Sequence, residues 1–154
     1  MRMQIGILAL SAAAFTGILT SEGYSPVSYS PVKGDVQTIG FGTTENVKPG
    51  DKIDPVAAVN RALKDISKME SAIKNCVKVP LHQWEYDAYA SLTYNIGANN
   101  FCKSTLVKYL NASDYALACK EILRWDRFKG KQLNGLTKRR QAEYQICIKD
   151  PHSA

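Results

Sequence analysis

The sequence is poor in the residues that metal and nucleophilic enzymes depend on. Its 154 residues include two histidines and four cysteines. His152 lies in a polar tail and His82 reads as a surface residue at a helix start, so a Ser-His-Asp arrangement has little support. Cys76, Cys102, Cys119 and Cys147 are far apart, and no pair has the short gap of a zinc knuckle. No metal site is expected. No stretch has the spacing of a P-loop, a dinucleotide fingerprint, a zinc protease or a nucleophile elbow, and no cofactor is expected. Internal repeats and low-complexity linkers are missing, which leaves one domain or two small lobes sharing a core. Acid is scarcer than base: 14 Asp and Glu against 20 Lys and Arg give a formal charge of +6. That balance favours polyanionic partners. Nucleic acid is not expected among them, because no aromatic-basic interleaving accompanies the charge.

Charge is also missing locally. From Met3 to Ser21 no residue is charged, with Arg2 just before the stretch and Glu22 just after it. This reads as a targeting segment, residues 1–20, ahead of a domain at 21–154. Ile5, Ile7, Leu8, Leu10, Phe15, Ile18 and Leu19 each favour insertion by about 0.3 to 0.6 kcal/mol. Gln4, Gly6, Ser11, Thr16, Gly17 and Thr20 oppose it, and about 18 residues is the lower limit for a span. Three fates remain open: cleavage at Ala12-Ala13-Ala14, a permanent anchor, or a temporary one. In the last case Ile5, Leu8, Ala12, Phe15 and Leu19, at helical spacing, predict an amphipathic helix that docks on the domain after leaving the bilayer. A buried N-terminal helix of a cytosolic protein is a fourth possibility.

With 45% hydrophobic and 22% charged residues, the rest is ordinary globular sequence. Val27 to Tyr29, a turn near Lys33-Gly34-Asp35, and Val36 to Phe41 predict a hairpin. Asp54 as N-cap and Pro55 at the first helical position begin a helix of about five turns. Its predicted inner stripe is Val56, Val59, Leu63, Ile66, Met69 and Ile73. A second helix is predicted over Leu81 to Ile96, with Ala88, Tyr89, Leu92 and Ile96 inward and Gly97 stopping it. Shorter helices follow at Ser104 to Leu110, Asp114 to Arg124 with Ser113 as cap, and Lys138 to Lys149 with Thr137 as cap. The fold class is therefore α+β and mainly helical. Four dispersed cysteines fit two disulfides or four buried thiols; Cys102 with Cys119, and Cys76 with Cys147, is the pairing taken here.

For chemistry, the residues themselves offer carboxylates. Glu22 ends the apolar segment, and a carboxyl beside apolar surface keeps its proton more readily, which suits a general acid. Asp35 at the turn and Thr38 three residues later have the groups to hold a water. The plainer reading makes Glu22 a membrane-boundary charge and Asp35 a turn residue.

A resemblance changes the balance. Glu22-Gly23, Tyr29-Ser30-Pro31, and Gly34 to Thr43 (GDVQTIGFGT) resemble the active-site hairpin of phage-type lysozymes, glycoside hydrolase family 24. Tyr94-Asn95-Ile96-Gly97, Phe101 to Leu106 (FCKSTL), Leu110 to Tyr115 (LNASDY), Arg124-Trp125, Gly135-Leu136 and Arg139-Arg140 resemble later pieces of that family in order. The similarity runs from about residue 22 to 147.

The resemblance implies a monomeric endolysin that hydrolyses the β-1,4 bond between N-acetylmuramic acid and N-acetylglucosamine in peptidoglycan. It implies a hairpin lobe joined to a helical lobe by the helix Pro55 to Lys74. Glu22 becomes the general acid of an inverting reaction, and Thr38 helps hold water. One departure stands out: the family's second acidic or Cys position falls on Pro31, which cannot ionise, and Thr38 comes one residue late. The role passes to Asp35, the only acid between Glu22 and Glu45. Tyr94, Asn95 and Arg124 become substrate-binding residues by the same match. The N-terminus resembles a signal-anchor-release segment, implying tethering in the host inner membrane and later release into the periplasm. Lys129, Lys131, Lys138, Arg139 and Arg140 form either a solvated face or an attraction for the anionic wall. A lytic transglycosylase, or a non-catalytic wall-binding or membrane-perturbing protein, is the rival reading.

Overall fold

The structure, a computed structural model, describes residues 1–149. His152 and its tail lie outside the described residues. The chain divides into two compact units, Phe15–Lys68 and Met1–Ala14 with Met69 onward.

The first unit is the hairpin lobe with its flanking helices. Helix α1, Ala12–Glu22, begins where the Ser11 hydroxyl accepts from the Ala14 N–H at 3.1 Å. It ends at Gly23, whose positive φ of 70° turns the chain into strand β1, Ser25–Tyr29. Strand β2, Thr38–Gly40, runs antiparallel to it with Ser25 opposite Gly40 and Tyr29 opposite Thr38. Between them the Ser30 hydroxyl donates to the Val32 and Asp35 carbonyls at 2.6 and 3.1 Å, which closes the turn. Helix α2, Pro55–Cys76, starts as expected, with the Asp54 carboxylate accepting from Val56 and Ala57 N–H at 3.0 Å.

The stripe of α2 differs from the predicted one. Ala58, Ala62, Ile66, Met69 and Ile73 are buried, whereas Val56 and Leu63 are 71% and 47% exposed. The cause is close packing against backbone: a Cβ built on Gly40 would lie 3.0 Å from the Ala58 Cβ. Strand β2 approaches too closely for any larger side chain, so alanine faces inward and the bulkier residues turn out.

The second unit is helical. Helix α3, Gln83–Ile96, is capped by His82 and Glu85, with the His82 N–H donating to Glu85 Oε2 at 2.8 Å. Gly97, φ 90°, stops it. Short helices α4, Ala98–Cys102, α5, Thr105–Asn111, and α6, Tyr115–Glu121, follow. Ser104 and Asp114 cap α5 and α6 through their side chains. Asp114, rather than the expected Ser113, caps α6 because Ser113 is left-handed at φ 62°. A second hairpin, strands β3, Arg127–Phe128, and β4, Lys131–Gln132, was not foreseen. Helix α7, Asn134–Cys147, starts four residues before the expected Lys138. Thr137 is no cap; its hydroxyl donates to Asp126 at 3.0 Å. The core of this unit is Tyr86, Tyr89, Leu92, Phe101, Leu106 and Leu110, all fully buried.

The cysteines are all paired, but as Cys76–Cys102 and Cys119–Cys147. The expected pairing is overturned. The C-terminal end of α2 lies against α4, and α6 against α7, with Cα separations of 5.6 and 5.7 Å.

The N-terminal segment also departs from its predicted continuous amphipathic helix. Residues Ile5–Ile7 form one 3-10 turn, and only Leu8 and Ile18 are fully buried, while Ile7 is 73% exposed. Polar groups hold it instead. Met3 and Leu81 exchange backbone hydrogen bonds at 2.7 and 2.9 Å. Arg2 lies on Glu85 at 2.8 Å and over the Tyr115 ring at 3.5 Å. The Leu10 and Ser11 N–H groups donate to Glu70 at 2.7 Å and Asp87 at 3.0 Å. Among the described residues, no helix is long and apolar enough to cross a membrane.

Candidate active site

Glu22 is the last residue of α1, and its position follows from the turn at Gly23, whose N–H donates back to the Leu19 carbonyl at 3.0 Å. The side chain is half-buried. It opens on a cavity of about 300 Å³ shared with Gly23, Tyr24, Ser25 and Tyr29. Tyr24 forms a rigid wall: its hydroxyl donates to the Ile53 carbonyl at 2.6 Å, and its ring lies 5.5 Å from that of Phe41. Tyr29, which also lines the cavity, stays 44% exposed. An acid that shares its cavity with two tyrosines is suited to a sugar substrate, whose apolar face stacks on a ring while its oxygens meet the carboxyl group.

Asp35 and Thr38 belong to the same hairpin but do not line this cavity. Asp35 is exposed on the turn, where its carboxylate accepts from the Val36 N–H at 3.2 Å. Thr38 is 7% exposed in the strand pair, opposite Tyr29.

Three more expected site residues lie in the helical unit. Tyr94 is half-buried near the end of α3. Asn95 accepts a hydrogen bond from Arg140 Nη1 at 2.9 Å. Arg124 is an exposed side chain paired with Glu121 at 3.1 Å, on a cavity of about 300 Å³ that also includes Lys103, Ser104, Thr105 and Trp125.

The expected basic face is smaller than the sequence suggested. Arg140 is fully buried and contacts Glu143 at 2.7 Å, while Arg139 reaches the same carboxylate at 3.4 Å. Ser91 donates to Glu143 at 2.7 Å. Burial pushes the Glu143 carboxyl up, and the Arg140 charge and the Ser91 hydroxyl pull against it. Arg139 and Arg140 are therefore structural, and Lys129, Lys131 and Lys138 remain as solvent-facing cations.

Sequence reasoning missed Tyr24 and Ser25 beside Glu22, whereas Gly23 and Tyr29 already stood in the stretch that resembles the active-site hairpin. A signal for Tyr24 was present, since it immediately precedes a five-residue strand, ending at Tyr29, that starts three residues after the acid. Glu85 and Asp87 left no signal of their contacts with the N-terminal segment, because Arg2 and the Ser11 amide lie some 80 positions away.

Fold and site together define a glycoside hydrolase of lysozyme type. The chain belongs to the phage lysozyme family, whose model matches residues 20–143. It is 44% identical over 110 residues to an endolysin of Acyrthosiphon pisum secondary endosymbiont phage 1, covering 69% of this chain and 75% of that one. It is 33% identical over 145 residues to a SAR-endolysin of Pseudomonas phage phiKMV, covering 91% and 89%. The solved endolysin of Escherichia coli phage FAHEc1 superposes with a TM-score of 0.80 at 34% identity, over 95% of this chain and 96% of the other.

Proposed function

We propose that this endolysin hydrolyses the β-1,4 bond between N-acetylmuramic acid and N-acetylglucosamine, with Glu22 as general acid. The supporting observation is the half-buried Glu22 carboxyl group at the end of α1, opening on the cavity walled by Tyr24 and Tyr29 in a phage lysozyme fold. Glu22 delivers its proton to the leaving glycosidic oxygen as the bond breaks. A water on the opposite face of the sugar loses its proton to Asp35 and is oriented by the Thr38 hydroxyl, which gives inversion. Tyr94 and Arg124 contact the glycan, and Asn95 is presented to it by Arg140.

The test is turbidity loss of outer-membrane-permeabilised Gram-negative cells, with released sugar ends analysed. Glu22→Gln lowers the rate at least a hundredfold, roughly 3 kcal/mol of barrier, with binding to sacculi retained. Asp35→Asn lowers it to a comparable extent. Full activity in Glu22→Gln sinks the reading. A second reading is favoured by Pro31 at the family's second acid position and by the exposure of Asp35. It is a one-acid lytic transglycosylase, which leaves 1,6-anhydro ends in place of reducing ends and is indifferent to Asp35→Asn.

Residues 1–20 act, in this proposal, as a temporary membrane tether that holds the enzyme inactive in the inner membrane until release into the periplasm. Supporting it are the uncharged run from Met3 to Ser21 and relatives named SAR-endolysins. Upon release, Arg2 and the Leu10 and Ser11 amides find Glu85, Glu70 and Asp87. Replacing residues 1–20 by a cleavable export signal makes expression toxic without an external trigger. A fusion as silent as the parent defeats the tether.

A further inference from the structure

The hairpin Arg127–Gln132 has no part in the chemistry above, yet its construction is unusual. Strands β3 and β4 are joined by two residues, Lys129 and Gly130, both with positive φ, 50° and 77°. Such a turn normally takes Asn or Gly first. Lysine there costs on the order of 1 kcal/mol, so a charge occupies the tip against local preference.

The surroundings are one-sided. Residues 127–135 are all exposed, and no acid occurs from Arg127 to Ala142. The adjoining carboxylate, Asp126, is buried and accepts from Gln132 at 2.6 Å and Thr137 at 3.0 Å. Phe128 and Lys131 are cross-strand partners and so share a face. The Lys129 ammonium lies 5.5 Å from the Phe128 ring centroid, and Leu133 continues the Lys131 side of the strand. Phe128 and Leu133 are 43% and 40% exposed. An exposed ring and a leucine flanked by long-stemmed lysines have the make-up of a group that settles at a lipid headgroup boundary. The apolar parts enter the acyl edge and the ammonium groups stay among phosphates.

We propose that the hairpin tip, through Phe128, Lys129, Lys131 and Leu133, is a peripheral docking surface for an anionic phospholipid bilayer, separate from residues 1–20. Charge complementarity and the apolar pair favour lipid over a glycan, which offers no acyl layer for Leu133. Each lysine near an anionic surface contributes about 1 kcal/mol.

The experiment is co-sedimentation of the full chain with vesicles of phosphatidylglycerol and phosphatidylethanolamine, and separately of phosphatidylcholine. The N-terminal segment and the other surface cations contribute equally to parent and hairpin variant, so the change between those two on the anionic vesicles reports the hairpin. Replacing both lysines by Gln lowers partitioning onto the anionic vesicles about thirtyfold and leaves the neutral ones unchanged. Lys129→Gly removes one charge and relieves the turn, so binding falls about fivefold while Tm holds or rises. Unchanged anionic binding overturns the proposal, as does an equal loss on both vesicles. A loss confined to isolated peptidoglycan sacculi overturns it too, and assigns the tip to the wall. None of these outcomes depends on the state of Glu22.

Discussion

Arg140 carries a charge into the fully buried interior of the second unit. Its guanidinium meets Glu143 at 2.7 and 3.0 Å and Asn95 at 2.9 Å. Removing one member of such a buried pair leaves the other uncompensated. Arg140→Met should therefore cost about 3 to 5 kcal/mol in urea denaturation. The double change with Glu143→Leu should recover much of that loss, and a double variant no better than the single one would show that the pair is not the source. Asn95 depends on the same contact, so the orientation of its side chain is lost together with the stability. Asp126 offers a pH counterpart. A hydrogen bond from Gln132, then one from Thr137, hold its carboxyl below the usual carboxylate range, against the opposing effect of burial. With the folded value depressed, the ionised form supports the fold above the ordinary carboxylate range. That support is lost as pH falls through the folded value. Amide exchange in the first turn of α7 should accelerate on acidification through that range, and Asp126→Asn should flatten the response.

At the level of elements, small residues decide where helix α2 can go. Gly40 has a φ of 64° and would bring a Cβ within 3.0 Å of Ala58. Gly50 has a φ of 85° and nothing within 4 Å. Both Gly→Ala changes incur backbone strain, and only the first also forces strand and helix apart. Gly40→Ala should destabilise by about 1 to 3 kcal/mol more than Gly50→Ala. Equal losses would place the whole effect in backbone strain. The same contact marks how far the sequence could be read. Asp54-Pro55 announced the start of α2, and Gly97 the end of α3, because caps and breakers act on their own neighbours. The face of α2 was misjudged because hydrophobicity ranks Val56 and Leu63 above Ala58 and Ala62, while the strand opposite leaves room only for a methyl group. The β3–β4 hairpin was overlooked for a different reason: its strands are two residues each, and Gly130 alone, with lysine before it, is a weak turn signal. Glu22, at the junction of an apolar run and a strand-rich segment, was legible. Tyr29 was legible only through the family resemblance, and Tyr24 was passed over, since its place in the cavity depends on how its hydroxyl is anchored to Ile53.

Across the whole molecule, covalent reinforcement is uneven. Both disulfides, spanning 26 and 28 residues, lie in the unit from Met69 onward, and the unit Phe15–Lys68 contains none. Loops of that length raise stability by roughly 3.5 kcal/mol each in the chain-entropy account, a large share of the 5 to 15 kcal/mol typical of a folded domain. The reduced chain should keep a marginal helical unit at best. Such bonds form in an oxidising space and not in a reducing cytoplasm, so the helical unit reaches full strength only where its thiols are oxidised. The carboxylates Glu70, Glu85 and Asp87 that receive residues 2–11 belong to that same unit. Disulfide formation thus firms up the surface onto which the N-terminal segment folds. In amide exchange, a phosphine reductant should strip protection from α3, α5, α6 and α7, and from the Leu10 and Ser11 amides with them, while β1 and β2 change less. If the two strands lose protection first, stability is shared across the units and the disulfides do not govern how the N-terminal segment is held.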